Sequence, residues 1–301
     1  MRVAVTGGTG FLGKYLVQHL QDCNYDVVLF ARPEEHAEEC VPFASAIFTT
    51  DYSIESLKKG LKGIDVVVHL VGQTLQRDSH PLCISAFFKV NVGVLENILI
   101  AGTETGLKSV YQMSSNNVYS SANNLPYREN DIPVPSSIYG LSKQCAEALG
   151  VYISTKTSIK VVSLRLARLF GYGERDSVVF TKYMKLAMRQ QPLEIWGEGR
   201  TSIEYLYVRD VVDAIECAVR MDIPSGVYNV GCNHSYSVLE IAKVINRVTG
   251  NDNNLVFDKT KAEGNYHILM DSSKFSKVAN WQPKWNLDDA ITEMYQLYSN
   301  E

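Results

Sequence analysis

Short apolar segments alternate with amphipathic ones in the first half of the chain. Residues 3–5 are apolar and valine-rich, as in a buried strand. After a glycine-rich turn at residues 7–13, the apolar side chains Leu16, Val17 and Leu20 recur at the spacing of one helix face. This stretch therefore predicts a buried strand, a turn and an amphipathic helix, in that order.

The alternation continues to about residue 166. Further strands are predicted at residues 25–32, 46–48, 65–72, 109–119 and 160–166, and helices at about 54–61, 83–102 and 138–155. The segment 65–72 is apolar on both faces, as expected of a strand inside a parallel sheet. Alternating strands and helices are typical of a parallel sheet with helices on both faces. The pattern predicts a Rossmann-type, doubly wound α/β fold.

Beyond about residue 170 the pattern is less regular. It predicts a helix at about 178–189, a strand at 193–196, a helix at about 210–219 and a buried strand at 227–231. We predict a dinucleotide-binding domain over residues 1–167 and a smaller, interleaved substrate-binding lobe over residues 168–301. Strand 227–231 is expected to return to the first domain.

The first turn has the pattern G-x-x-G-x-x-G, formed by Gly7, Gly10 and Gly13. In dinucleotide-binding folds the first glycine allows the tight turn, the second lets the main chain approach a pyrophosphate, and the third lets helix and strand pack closely. The helix N-terminus then offers free N–H groups to the anion. The turn predicts an NAD or NADP site, and a plain βα turn is the alternative.

The end of the second predicted strand bears on the choice of cofactor. A carboxylate there binds the ribose 2′-hydroxyl of NAD, whereas an arginine accommodates the 2′-phosphate of NADP. The strand ends in Ala31 and Arg32 with no acid at its tip, which favours NADP. Alternatively, Arg32 is a solvated side chain, and Glu34 or Glu35 binds the ribose.

Composition narrows the class of partner. The 301 residues include 29 basic and 33 acidic side chains with no basic run, which argues against nucleic acid. No apolar stretch reaches the roughly 18 to 20 residues of a membrane span, and the first apolar segment is too short for a signal peptide. We expect a cytoplasmic protein without a membrane contact. The six cysteines and six histidines show no metal or disulfide spacing, so no metal is expected.

Candidate chemistry lies at Tyr139 and Lys143, which share a face at the start of a predicted helix. The phenol of tyrosine has a pKa near 10, but an ammonium and a positive nicotinamide ring beside it would favour the phenolate. Ser115, at the end of the preceding strand, would hydrogen-bond the same substrate oxygen. With a hydride-accepting cofactor, these groups would oxidise a secondary alcohol or reduce a ketone. An ordinary helix start is the alternative.

These segments resemble the extended short-chain dehydrogenase/reductase family, specifically its nucleotide-sugar epimerase/dehydratase branch. The matching segments are residues 6–13, Asp51, 65–72, 91–93, Ser114 with Ser115, Tyr139 with Lys143, 197–199, 207–210 and 228–231. The resemblance implies a triad of Ser115, Tyr139 and Lys143, with a sugar nucleotide bound between the two lobes. It also implies a homodimer that pairs the helices at about 83–102 and 138–155.

Together with Arg32, the resemblance assigns a set of binding residues. Those expected at the cofactor are Gly7, Gly10, Phe11, Leu12, Gly13, Arg32, Asp51, Tyr52, Leu70, Val71, Gly72, Asn91, Met113, Ser114, Tyr139 and Lys143. Those expected at the substrate are Ser115, Asn116, Arg168, Trp196 and Lys261.

Two positions depart from the family pattern. Arg168 stands where the family usually has an asparagine, and Ile203 with Glu204 stands where an arginine usually binds the substrate diphosphate. Arg168 could supply the missing charge, with Lys261 near another diphosphate contact of the family. The alternative for Arg168 is an ion pair at the surface or between the lobes.

We therefore predict an NAD(P)-dependent enzyme of nucleotide sugars, an epimerase that works by transient hydride transfer. An NADPH-dependent 4-keto-sugar reductase and a non-catalytic, cofactor-binding regulatory protein are the alternatives. A dehydratase is disfavoured because Asn116 and Asn117 occupy the places of its acid and base.

Overall fold

The computed structural model describes residues 1–35, 37, 41, 44–74, 83–175, 179–264 and 266–300. The strands are β1 Arg2–Thr6, β2 Asp26–Ala31, β3 Ala46–Thr49, β4 Val66–His69, β5 Ser109–Ser115, β6 Lys160–Leu166, β7 Arg168–Phe170, β8 Leu193–Trp196, β9 Ser202–Tyr207, β10 Gly226–Val230, β11 Ser235–Ser237, β12 Leu255–Asp258 and β13 His267–Ile268. The helices are α1 Phe11–Asp22, α2 Ile54–Gly60, α3 Ile84–Phe88, α4 Val94–Thr105, α5 Ile138–Lys156, α6 Val179–Met188, α7 Val208–Arg220, α8 Val238–Thr249, α9 Ser273–Ala279 and α10 Leu287–Ser299. A π-helical turn, Lys89–Gly93, joins α3 to α4.

The main sheet has seven parallel strands in the order β10-β6-β5-β4-β1-β2-β3. The chain builds outward from β1 in both directions, so the strand order reverses between β1 and β4. In open α/β sheets, ligands bind at the carboxyl ends of the strands beside such a reversal. The predicted Rossmann-type fold is confirmed.

Helices cover both faces of this sheet. Val3 and Val5 of β1 share a buried cluster with Leu16 of α1. Ala4, which points to the opposite face, shares a second cluster with Leu95 of α4. A strand buried on both faces must be apolar at successive positions, which explains the continuous apolar run at the start of the chain.

The second lobe is built around β9, which pairs with β11, β13 and β7. Strand β8 pairs with β12 in a separate two-stranded sheet. A third buried cluster joins these strands to helices α6, α8 and α10 through residues such as Phe170, Phe180 and Ile291. The chain returns once to the main sheet, where β10 forms the edge next to β6.

Among the described residues, one helical run, Ile84–Thr105, is long and apolar enough to cross a membrane by length and composition alone. The expectation that no segment reaches that length is therefore wrong. About 33% of its most apolar segment is buried, and core helices of globular proteins can have the same length and composition. This single helix is weak evidence for a membrane span.

Candidate active site

A cleft opens at the carboxyl ends of β1, β4 and β5 and encloses a cavity of about 780 Å³. Many predicted site residues line it, namely Gly7, Gly10, Phe11, Leu12, Gly13, Leu70, Gly72, Met113, Ser114, Ser115, Asn116, Tyr139, Lys143 and Arg168. Ile203 and Ile268 of the second lobe line the same cavity. The cleft is therefore shared between the sheet and the second lobe, as a site for two ligands requires.

The glycine turn has the geometry that a dinucleotide needs. Gly7 has a φ of +71°, and a Cβ there would lie 2.9 Å from the backbone nitrogen of Val71. A Cβ on Gly13 would lie 2.3 Å from the carbonyl oxygen of Gly7, so only glycine allows α1 to pack this closely. Gly10 precedes the first residue of α1 and offers no capping side chain. The helix N–H groups at this end are thus left to bind an anion, and the turn fits a pyrophosphate.

Arg32 is not available for a 2′-phosphate in the way that the sequence suggested. Its Nε lies 2.8 Å from Oε1 of Glu35, and its Nη1 lies 3.3 Å from Oε1 of Glu34. Glu35 also accepts a hydrogen bond from Oγ1 of Thr9 at 3.1 Å, which places its carboxylate beside the glycine turn. Because two acids offset the charge of Arg32, the preference for NADP has no support.

Asp51 and Tyr52 lie just beyond the carboxyl end of β3, outside the residues that line the cavity. The Asp51 carboxylate accepts the backbone N–H of Ser53 at 2.9 Å. The Tyr52 hydroxyl donates to the carbonyl oxygen of Phe30 at 2.8 Å, and the side chain is buried. Of the two, only Asp51 is exposed, and its predicted contact with the cofactor stays a prediction.

Asn91 supports the site from behind the loop that follows β4. Its Oδ1 accepts the backbone N–H of Gln73 at 2.7 Å, and its Nδ2 donates to the Gln73 carbonyl oxygen at 3.1 Å and to Oγ of Ser142 at 2.8 Å. Asn91 lies in the π-helical turn, a feature often found at functional sites. The structure therefore gives Asn91 a positioning role, in which it joins the loop after β4, at Gln73, to α5.

The three predicted catalytic residues meet at one end of the cleft. Ser115 ends β5, and Tyr139 and Lys143 occupy the first two turns of α5. The Tyr139 and Ser115 side chains line the same cavity. Lys143 Nζ lies 5.9 Å from the centre of the Tyr139 ring and donates to the carbonyl oxygen of Met113 at 2.7 Å. This arrangement can bind one oxygen between two hydroxyls with a cation nearby.

The electrostatics of the pair differ from the expectation. Burial raises the pKa of Tyr139, and the nearby Ser115 hydroxyl opposes that rise. Burial lowers the pKa of Lys143 to about 8, and the nearby Glu147 carboxylate opposes that fall. In the chain alone, the pKa of Tyr139 thus moves in the direction opposite to the predicted one. The prediction also counted the positive nicotinamide ring, a charge that comes with the cofactor.

The lowered pKa of Lys143 predicts an alkaline limit on activity. We expect kcat/KM to fall as pH rises above about 8, because the ammonium that supports the phenolate is then lost. Lys143→Arg should be slower but should lack this alkaline fall, since a guanidinium stays protonated. Steady-state rates between pH 6 and about 10 measure both, and an unchanged alkaline limb in the arginine variant would assign it to another group.

A buried ion pair near Lys143 was missed at the sequence level. Arg165 and Glu147 have side chains 3% and 5% exposed, and they form two hydrogen bonds, at 2.9 Å from Nε and 2.7 Å from Nη2. The Ser114 hydroxyl also donates to Glu147. Glu147 lies one helical turn beyond Lys143, so the spacing Y-x-x-x-K-x-x-x-E could have signalled a shared face.

Arg168 lines the cleft from β7, on the side of the second lobe. Glu174 lines the cavity nearby, where burial raises its pKa to about 7 against the lowering effect of Arg168 and Arg175. Ile203 also faces this cavity. Its neighbour Glu204 is instead buried in the second lobe, where it accepts backbone N–H groups. Arg168 of β7 therefore brings a positive charge to the cleft, whereas β9 contributes the apolar side chain of Ile203.

Trp196 and Lys261 lie together outside the cleft. Lys261 Nζ is 5.2 Å from the centre of the Trp196 ring and forms ion pairs with Glu194 and Asp258. Trp196 is 51% exposed, and neither residue is among those that line the cavity. Their predicted contacts with substrate therefore stay predictions.

The part of the chain that the structure describes holds no metal cluster. Within the described ranges, no three or more His, Cys, Asp or Glu side chains are grouped so that they could hold a metal ion. One of the six cysteines, Cys40, lies outside those ranges.

Fold and site together define the class of the protein, a dinucleotide-dependent enzyme with a tyrosine and a lysine in its cleft. The chain belongs to the NAD dependent epimerase/dehydratase family, whose model matches residues 3–231. The family resemblance and the prediction of an NAD(P)-dependent enzyme are thereby confirmed.

Individual relatives agree over the full length. An uncharacterized UDP-glucose epimerase of Bacillus subtilis is 25% identical over 317 aligned positions, which cover 100% of both chains. The crystal structure of UDP-N-acetylglucosamine 4-epimerase from Bacillus cereus superposes with a TM-score of 0.89 at 26% identity, covering 100% of this chain and 97% of that one. UDP-glucuronic acid 4-epimerase from Bacillus cereus, solved with UDP-glucuronic acid and NAD, gives 0.86 at 25% identity, with 100% and 99% covered.

Proposed function

We propose that this protein is a nucleotide-sugar epimerase that uses NAD and acts on a UDP-sugar. The observation that carries the proposal is the meeting of Ser115, Tyr139 and Lys143 in a cleft bounded by the glycine turn on one side and Arg168 on the other. The first two groups handle a hydroxyl proton, and the turn and the arginine suit two phosphate-bearing ligands. The full-length similarity to UDP-sugar epimerases supports this choice of substrate.

The chain's own residues account for the proton movements. Bound NAD supplies a reversible hydride acceptor. The Tyr139 phenolate takes the proton of the sugar hydroxyl while the carbinol carbon is oxidised, and Lys143 stabilises the phenolate charge. Ser115 hydrogen-bonds the same sugar oxygen and holds it against Tyr139. After the keto sugar turns to present its other face, Tyr139 returns the proton to the carbonyl oxygen as the carbon is reduced.

The direct test is an assay with a panel of UDP- and dTDP-sugars. The purified protein with NAD should convert one UDP-sugar into a mixture with its epimer, seen by NMR, without net change in NAD. Net consumption of NADPH with a keto sugar would replace the proposal with the reductase alternative. Cofactor binding with no turnover on any sugar would support the non-catalytic one.

The cofactor preference gives a second test. We expect NAD to bind more tightly than NADP, because the Glu35 carboxylate lies beside the glycine turn and would repel a 2′-phosphate. Glu35→Gln should weaken the binding of NAD about tenfold. It should also bring the affinity for NADP closer to that for NAD, since Arg32 would lose a partner. Fluorescence titration of NADH and NADPH measures this, with Glu55→Gln as the control, since Glu55 is an exposed carboxylate that pairs with Lys58 and not with Arg32. Tighter binding of NADPH by the wild-type protein would contradict the proposal.

Arg168 should act on substrate affinity. We expect Arg168→Ala to raise the KM for the UDP-sugar about 10- to 100-fold with a smaller change in kcat, as for the loss of a charged hydrogen bond to a phosphate. Arg200→Ala is the control, since Arg200 is exposed and lies outside the residues that line the cavity. An unchanged KM would mean that another residue binds the diphosphate.

We further propose a homodimer in the cytoplasm. Helices α3, α4 and α5 pack side by side and expose the large apolar side chains Ile84, Ile100, Leu141, Val151 and Tyr152. Pairing these helices with those of a second copy would cover them and would explain the apolar character of Ile84–Thr105. Sedimentation analysis should give twice the mass of one chain. Val151→Glu should reduce this value to the mass of a single chain. Cell fractionation tests the location.

A further inference from the structure

One residue holds the hydroxyl of Ser115 from two directions. Oγ of Ser115 accepts the backbone N–H of Asn117 at 3.2 Å and the side-chain Nδ2 of Asn117 at 3.0 Å. Both residues belong to the short helical turn that follows β5, in which Ser115 is the N-cap. The backbone and the side chain of Asn117 therefore supply two donors to one buried oxygen.

This arrangement decides what the hydroxyl can do next. A serine hydroxyl has two lone pairs and one proton, and both lone pairs are used by Asn117. The hydroxyl proton is then left to be donated: Oδ1 of Asn116 accepts it at 3.3 Å, and Ser115 lines the same cavity as Tyr139. Donors that point at an oxygen also make its own proton a better donor. Ser115 is thus prepared to donate to an oxygen beside Tyr139.

Asn117 also touches the helix that carries Tyr139. A Cβ on Gly140 would lie 2.0 Å from the carbonyl oxygen of Asn117, so the turn and the start of α5 are in direct backbone contact. Ser137, the N-cap of α5, accepts the Gly140 N–H at 3.1 Å and fixes this start. Through these contacts Asn117 sets the position of Ser115 relative to Tyr139.

We propose that Asn117 is a positioning residue of the reaction, which holds the Ser115 hydroxyl as a hydrogen-bond donor to the reacting sugar oxygen. This inference rests on the proposed function, because it concerns the same oxygen. The neutral amide matters: an ionised carboxylate at this position would accept the Ser115 proton and turn it away from the substrate.

A double-mutant cycle with Ser115 tests the assignment. Asn117→Ala should lower kcat about tenfold with KM changed less than about twofold, which is the effect of losing one neutral hydrogen bond in the transition state. In a Ser115→Ala background, Asn117→Ala should have no further effect, because the hydroxyl that it positions is gone. Losses that multiply in the double variant would show that Asn117 acts on the fold instead, and would overturn the proposal.

The isosteric variant Asn117→Asp keeps the shape of the turn if the alanine variant fails to fold. At neutral pH, Asn117→Asp should lose more activity than Asn117→Ala. Part of the lost activity should return as the pH falls toward about 4, where a carboxyl regains a proton to donate. A loss independent of pH would overturn the proposal. Asn123→Ala, which removes an amide bonded to the Ile132 carbonyl oxygen in the same loop, is the control expected to match wild type.

Different results would contradict the proposed function and the role of Asn117. A wild-type protein that converts no sugar in the panel contradicts the proposed function itself. An active wild type whose Asn117 and Ser115 losses are independent contradicts only the role of Asn117.

Discussion

Replacing Tyr139 with phenylalanine should lower turnover about 1,000-fold, within the range that general acid–base groups contribute. Phenylalanine keeps the ring in its place between α5 and the cleft but removes the hydroxyl that we propose moves the substrate proton. Affinity for NAD should change only a few-fold, because the glycine turn and the loop after β4 are unaltered. Turnover of the UDP-sugar and titration of NADH measure the two effects separately.

The same substitution at Tyr152 is the matched control. Tyr152 lies on the same helix but is exposed and remote from the cavity, so Tyr152→Phe should retain the wild-type rate. A Tyr139→Phe protein that still turns over at the wild-type rate would remove Tyr139 as the acid and base. A protein that loses NAD affinity to the same extent as rate would point to a collapsed cleft.

The largest effect on stability is expected at the buried ion pair. Glu147→Gln should lower the free energy of unfolding by about 3–5 kcal/mol, because it leaves the Arg165 guanidinium buried without a compensating charge. The neutral amide also replaces an acceptor that Ser114 and Arg165 both use. Urea denaturation followed by circular dichroism gives the free energy of unfolding.

Two further variants separate charge from packing. Glu147→Gln combined with Arg165→Met should recover most of the lost stability, since the double variant buries no unpaired charge. Asp288→Asn removes one partner of the Arg247–Asp288 pair, whose side chains are 63% and 53% exposed, and should cost less than about 1 kcal/mol. If Glu147→Gln lowers the free energy of unfolding no more than Asp288→Asn does, water reaches Arg165, and the Arg165–Glu147 pair is not effectively buried.

Loss of the Glu147 carboxylate should also lower the pKa of Lys143. The Glu147 carboxylate holds the pKa of Lys143 higher than burial alone would leave it. In Glu147→Gln, the alkaline fall in activity should therefore move to lower pH. The ion pair thus links the stability of the fold to the protonation of the site.

The sequence by itself determined the fold class, because hydrophobic periodicity is local. The apolar run at residues 3–5, the glycine turn and the helical spacing after it indicate one βα unit without reference to the rest of the chain. The spacing of Tyr139 and Lys143 likewise placed both on one face of α5. Strands of two or three residues, such as β11 and β13, escaped prediction because so short a segment has no period.

Only the tertiary structure decided how charges are paired and which groups reach the cleft. Arg165 finds Glu147 on another element, Arg32 is neutralised by acids that the sequence left as alternatives, and Lys261 binds acids of its own lobe. Burial also set the direction of the pKa of Tyr139, against the expectation from its neighbouring lysine. The choice of ion-pair partner and the desolvation of a group depend on the packing of segments that are distant in the chain. Residue spacing alone does not determine that packing.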